Sequence, residues 1–272
     1  MRTSEIRIAA AAALAAILSA PAHGQWLNYP TAGVPRLPDG KPNLAARTPR
    51  GADGKPDFSG LWEPDFEGGV AAPVAGGAIL PPEFVNIGAR LKNGLPYRAW
   101  GLEIRNGRLA DNSKDSPDGL CLPLSILQMH SHPFPRKILH VPGLMAILYE
   151  KNIEYRQIFT DSRPLPSDPQ PSWKGYSTGG WEGDTLVVQT IGFRDDMWAD
   201  GQGNLLTEAA KVTERFRRPS YGILEIEVTV DDPKAYTVPW TVKITQHIKL
   251  DTDLLEYVCL ENERDRLHMV GK

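Results

Sequence analysis

The chain lacks an excess of charge of either sign. Its 30 Lys and Arg stand against 33 Asp and Glu, a net charge of −3 over 272 residues. That balance provides no basic face of the kind an electrostatic nucleic-acid binder needs, so no nucleic-acid partner is expected. Long apolar runs are also missing: beyond the first two dozen residues no stretch approaches the roughly 18 apolar residues of a membrane-crossing helix. No long amphipathic helices alternate with strands, which argues against a doubly wound parallel sheet. The short motifs of common catalysts are absent as well. There is no Gly-x-Ser-x-Gly elbow, no phosphate-binding loop with Lys-Ser/Thr and no His-Glu-x-x-His. The common hydrolase readings lose support, and no cofactor is expected. Cysteine is reduced to a single pair, Cys121 and Cys259.

Punctuation is abundant: 25 Gly and 24 Pro favour short strands and ordered loops. The N-terminus reads as an address. Arg2 and Arg7 precede the uncharged Ile8–Leu18 run, and Ala20-Pro21-Ala22 and Ala22-His23-Gly24 offer small-x-small cleavage sites. Residues 1–24 are therefore expected to be a signal peptide, and the mature chain periplasmic or secreted. In an oxidising compartment two cysteines are most simply one disulfide, with two buried thiols the alternative. A Cys121–Cys259 bridge would close a long loop, for which chain entropy gives on the order of 4–5 kcal/mol.

Residues 25–56 read as an extended arm containing a repeat. Pro35-Arg36-Leu37-Pro38-Asp39-Gly40-Lys41-Pro42 returns as Pro49-Arg50-Gly51-Ala52-Asp53-Gly54-Lys55-Pro56, and Asp-Gly-Lys-Pro is turn chemistry. Residues 57–272 form the body. A helical insertion is expected at about 81–110, with one helix from Pro81-Pro82-Glu83 to about Leu91 and a second over Pro96–Ala110 that Gly101 and Gly107 weaken. A short helical turn is expected over Thr207–Ala210. From His140 onward the period is two. Met145, Ile147 and Tyr149 share a face, as do Leu224, Ile226, Val228 and Val230, then Trp240, Val242 and Ile244, and last Leu255, Tyr257 and Cys259. The expected fold is mainly β: one antiparallel barrel or sandwich with one or two short helices.

Three constellations could carry chemistry. His130-Ser131-His132 on a strand would point two imidazoles one way, with His140, His247 or Glu150 as a third metal ligand. Pro133 and Pro135 favour a polar loop instead, and no metal is assigned. Glu150, Glu154, Arg156, Asp161 and Arg163 form a polar line; if the strand is continuous, Glu150 and Arg156 share a parity and face a lumen as acid–base and electrostatic groups. The commoner outcome is a solvated sheet face. Trp173, Tyr176, Ser177 and Trp181 in a Gly-rich stretch could line a ligand site or plug a corner of the core. Glu182-Gly183-Asp184 is explained by a hairpin turn, and Ser59 and Ser177 are nucleophiles only as any serine is.

Together these segments resemble a large group of exported proteins of soil and aquatic Gram-negative bacteria. The resembling residues are the doubled Asp-Gly-Lys-Pro arm with Asp57-Phe58-Ser59-Gly60-Leu61-Trp62, then Cys121-Leu122-Pro123, Arg156–Arg163 and Trp173-x-Gly175-x-Ser177. They continue with Gly180–Val188, Thr213-Glu214-Arg215-Phe216, Asp231–Lys234 and Tyr257-Val258-Cys259-x-Glu261-Asn262. Ser162 departs from the glycine of that pattern, and Leu124-Ser125 replaces a Pro-Gly pair. The His130/His132 pair is no part of it. The resemblance implies export and a mainly β body and no established reaction. Gly60-x-Trp62 is similar to a three-residue motif of lipocalins, in keeping with a calycin-like barrel holding a small ligand. The first expectation is a binding module for a small, partly apolar molecule. The second is a motif-poor hydrolase, lyase or isomerase using Glu150 or Asp161 with Arg156 or Arg163. The third is an envelope-interaction protein without a cavity.

Overall fold

A computed structural model describes residues 29–71, 77–261 and 271; the signal-peptide segment lies outside the described residues. Thirteen strands follow in chain order: β1 (Gly60–Pro64), β2 (Val70–Ala71), β3 (Ile79–Leu80), β4 (Arg136–Val141), β5 (Leu144–Tyr149), β6 (Tyr155–Phe159), β7 (Tyr176–Glu182), β8 (Thr185–Ile191), β9 (Met197–Trp198), β10 (Leu205–Leu206), β11 (Lys211–Ser220), β12 (Ile223–Asp231) and β13 (Trp240–Ile248). Nine of them close a barrel in the order β1-β13-β12-β11-β8-β7-β6-β5-β4, with β4 pairing back to β1. β2–β3 and β9–β10 are separate two-stranded ribbons.

The barrel follows from the period-two pattern. Leu224, Ile226, Val228 and Val230 of β12 and Trp240, Val242 and Ile244 of β13 are all buried. The opposite parity faces water and is laced by charge. Glu225 accepts from Arg217 across one strand pair and from Lys243 across the other, and Thr229 and Thr241 hydroxyls meet at 2.8 Å. One seam departs from the all-antiparallel expectation. β6 and β7 run parallel, paired only at Ile158↔Ser177 and Phe159↔Thr178. The Pro-rich connection over 160–175 is long enough for the crossover that a parallel pair requires.

Three α-helices lie among the described residues of the body: α1 (Pro82–Val85), α2 (Ala99–Ala110) and α3 (Ile126–Ser131). α1 is shorter than expected. α2 begins beyond Pro96, and its Gly101 has a packing reason: a Cβ there would come within 2.6 Å of the Ala235 carbonyl oxygen. α3 corrects the strand reading of His130-Ser131-His132. Ser125 caps it, its hydroxyl accepting from Gln128 N, and the prolines at 133 and 135 follow its end. All six of its residues are buried, and it packs into the barrel against β4, β11 and β13. Arg136 donates to the carbonyls of His130, His132 and Phe134, so β4 itself satisfies the helix's C-terminal acceptors. The expected helical turn over Thr207–Ala210 is a single hydrogen-bonded turn.

At the first strand the Arg218 guanidinium lies over the Trp62 ring at 4.9 Å and donates to the carbonyls of Asp57, Ser59 and Tyr221. The arm's two repeats form the same hydrogen-bonded loop. Arg36 Nη1 donates to the Gly40 carbonyl at 2.8 Å, and Arg50 Nη1 to the Gly54 carbonyl at 2.7 Å. The second loop grips the β7–β8 turn, with Arg50 forked onto Asp184 and Lys55 donating to the Gly183 carbonyl. Cys121 and Cys259 form a disulfide that ties the loop before α3 to the C-terminal segment. That segment is not the strand the Leu255/Tyr257/Cys259 alternation implied. Tyr257 makes one isolated bridge with Lys151, and Cys259–Glu261 is a 3-10 turn.

Candidate functional site

Where β6 and β7 part below their two paired positions, the barrel wall opens into a cleft of about 520 Å³. Its walls are Pro123, Ile153, Tyr155, Phe159, Trp173 and Tyr176; Arg156, Lys174, Ser177 and Glu154 supply its polar groups. Local geometry places them. Asn152 and Ile153 adopt left-handed φ of 57° and 53°, ending β5 and turning the chain before β6. Gly175 (φ +64°) brings Lys174 and Tyr176 round the corner, where a Cβ would meet the Ile191 carbonyl oxygen at 2.7 Å. The structure thus brings Arg156, Trp173, Tyr176 and Ser177 to one site.

The floor belongs to the barrel interior. Arg156 is buried and forks onto the buried carboxylate of Glu214 in β11, with Nη1 to Oε1 at 2.8 Å and Nη2 to Oε2. Arg156 also donates to Ser177 Oγ at 3.0 Å and to Thr190 Oγ1 at 3.0 Å. His130, reaching down from α3, meets Glu214 Oε1 through Nε2 at 2.5 Å. Burial opposes ionisation of Glu214, but Arg156 and then His130 outweigh it and hold the carboxyl at about 2. Burial likewise pushes His130 below its ordinary value despite Glu214. With the carboxylate ionised and the imidazole neutral, the shared proton sits on His130 Nε2. His130 Nδ1 then accepts and has no partner, as is also true of Gln246 Oε1 nearby. Burial pushes the Tyr149 hydroxyl up to about 12.

At the cleft's side, Lys174 pairs with Glu154 Oε2 and donates to the Leu124 carbonyl at 2.5 Å. Burial lowers its ammonium despite Glu154. Arg194 lies over the Trp173 ring at 5.0 Å.

The other expected residues fall elsewhere. Glu150 and Arg156 do not share a strand: Glu150 sits in the turn after β5 and accepts from Leu255 N at 3.0 Å. Asp161 and Arg163 pair with each other on the surface, Arg163 leaning over Phe159. The four therefore do not converge on one reacting point. Trp181 is the corner plug, stacked on Phe58 and beside His140. Glu182 and Asp184 are engaged by Arg215 and Arg50. The histidines disperse because positions i and i+2 at a helix end point apart. His130 faces Glu214, His132 lies 3.8 Å from Asp118, and His247 lies 3.6 Å from Asp65. Among the described residues no group of three or more His, Cys, Asp or Glu could hold a metal ion. Ser59 Oγ accepts from His140 N, a structural contact.

Sequence reasoning passed over Glu214, Thr190 and Arg136. Glu214 did leave a signal, being a charged residue between Val212 and Phe216 on the core-facing parity of β11, a side it shares with Arg218. Among the described residues no helix is long and apolar enough to cross a membrane. No protein family, curated protein or solved structure matches the chain.

Proposed function

We propose that this chain is an exported barrel protein that binds a small, partly apolar molecule in the cleft between β6 and β7. One observation carries the reading. The cationic groups lining the cleft are already neutralised, Arg156 by Glu214 and Lys174 by Glu154, and the rest of the wall is mostly aromatic and aliphatic, with Arg194 over Trp173 and Arg163 over Phe159. A site with paired charges offers an ion little, whereas aromatic and aliphatic walls and an ordered polar floor suit a mostly apolar guest with one polar end. Export is supported by the leader-like N-terminus and by the disulfide. The calycin-like resemblance agrees with it. An acid–base enzyme built on Glu150, Asp161, Arg156 and Arg163 finds no support in where those residues lie.

The test is a panel of neutral aromatic and aliphatic fragments screened by ligand-observed NMR against the mature protein and its Trp173→Ala and Tyr176→Ala variants. Binding that weakens at least fivefold in both variants is expected. Fragments that bind all three proteins equally, or none of them, would remove the cleft from consideration.

A further inference from the structure

The disulfide sits at the edge of the cleft. Just beyond Cys121, Pro123 forms one wall, and Lys174 donates to the carbonyl of Leu124 that follows it. From the other half of the bridge, Cys259 N donates to Asn152 Oδ1 at 3.2 Å, and the adjoining Ile153 forms a second wall. Cys259 belongs to a strap, residues 249–261, that leaves β13 and passes β4 and β5. Scattered contacts hold it in place of a strand ladder. Lys137 pairs with Asp253 at 2.8 Å, and Leu255 N donates to Glu150 Oε2. Tyr257 packs edge-on against Phe134, with Lys151 over its ring. The bridge is the strap's covalent anchor.

The backbone at this junction is strained. Cys121, Asn152 and Ile153 take φ of 55°, 57° and 53°, and for a β-branched residue such as Ile153 that region is a genuine outlier. Backbone of this kind persists only where its surroundings over-determine it. The clamp of Cys259 on Asn152 supplies part of that support. Both cysteines are half-buried, not sealed, so a thiol can reach the bridge.

We propose that the Cys121–Cys259 bridge is a redox switch on the cleft. Oxidised, it holds the Pro123 and Ile153 walls in the guest-binding arrangement. Reduced, it releases the strap, the 152–153 turn relaxes and the guest is lost. The proposal rests on the cleft reading and adds the regulation of that site. The co-reactant is a dithiol. One of its sulfurs, deprotonated, attacks a bridge sulfur and expels the other as a thiolate, which takes up a proton; its second sulfur then displaces the remaining cysteine from the mixed disulfide in the same way. The protein gains two electrons and two protons as two thiols, and the dithiol ends as a disulfide. The barrel keeps its ladders, none of which includes either cysteine.

The probe is 2-naphthol, a neutral aromatic, titrated calorimetrically into the mature protein when oxidised, when reduced with dithiothreitol, and after reoxidation. For a guest of this size a dissociation constant of roughly 0.1–1 mM is expected in the oxidised form. Reduction should weaken binding at least about fivefold and reoxidation restore it, with far-UV circular dichroism unchanged throughout. By reciprocity, saturating 2-naphthol should shift the bridge toward its oxidised form in a dithiothreitol buffer by the same factor. Cys121→Ser combined with Cys259→Ser should bind as the reduced protein does and ignore dithiothreitol. Ile153→Gly relieves the strained turn; its own affinity falls with the lost wall, but the ratio between oxidised and reduced forms should approach one. Equal binding before and after reduction, lost in Trp173→Ala, would overturn the switch and leave the cleft standing. Tighter binding after reduction would overturn the switch too, as would a reduced protein that unfolds, since the bridge would then hold the whole barrel. No binding, or binding indifferent to Trp173→Ala, would overturn the cleft itself.

Discussion

Replacing Arg156 by Met is the sharpest test of the barrel interior. The guanidinium is buried, and its removal leaves Glu214, equally buried, with His130 as its one remaining polar neighbour of substance. Breaking a buried pair from one side costs about 3–5 kcal/mol, because the surviving charge is stranded in a poor solvent. For a chain of this size that lowers the melting temperature by roughly 6–20 °C. The assay is urea unfolding at pH 7 and again near pH 4. In the wild type Glu214 is held at about 2, so it stays ionised at both. In Arg156→Met burial is opposed by His130 alone and raises the carboxyl, which then takes up a proton as pH falls and escapes the penalty. The gap between variant and wild type should therefore narrow toward pH 4. A second variant, Arg156→Met with Glu214→Leu, should recover most of the loss, since it strands no charge. A single-variant loss under about 1 kcal/mol, or a gap that widens in acid, would refute the reasoning.

Other consequences follow from the same structure. Acid should destabilise the wild type in two stages: His130 and His132 are held neutral by burial, so the unfolded chain gains protons first as pH drops below about 6.5. Glu214 then withdraws about 3 kcal/mol between its ordinary value near 4.5 and about 2; a flat stability profile from pH 7 to pH 3 would contradict both. Replacing Cys121 and Cys259 by Ser should cost about 2–5 kcal/mol in chemical denaturation, since the bridge spans 138 positions; a loss under about 1 kcal/mol would count against it. Tyr149→Phe removes a buried hydroxyl that lies beside Arg156 without a well-formed hydrogen bond, so stability should change by less than about 1 kcal/mol; a larger loss would show the hydroxyl to be firmly bonded.

The parts of the fold legible from sequence were those carried by local period. The alternation in β12 and β13 declared both faces, and the doubled Asp-Gly-Lys-Pro segment declared two like loops, because turn residues act within a few positions. Misreadings arose where one or two residues decide the path. Ile153, a β-branched residue, takes a left-handed φ that its type disfavours, so nothing in the pattern announced the break between Glu150 and Arg156. α3 is too short to show a helical period, and prolines after it looked like those of a loop. The cleft was half visible: Trp173, Tyr176 and Ser177 were singled out together, but Arg156 apart from them. What unites them is the parallel β6–β7 seam, a pairing across the 160–175 crossover that no local pattern encodes. Glu214 was legible by parity alone, as a charge between Val212 and Phe216 on a core-facing side.

The most direct measurement of the central claim is 19F NMR of the protein labelled with 5-fluorotryptophan. The chain holds seven tryptophans, and Trp173→Phe assigns the one in the cleft. On titration with 2-naphthol the Trp173 resonance should move and saturate, while those of Trp62 and Trp240 in the core stay fixed. A stationary Trp173 signal, or movement confined to other tryptophans, would contradict a ligand site at the β6–β7 seam.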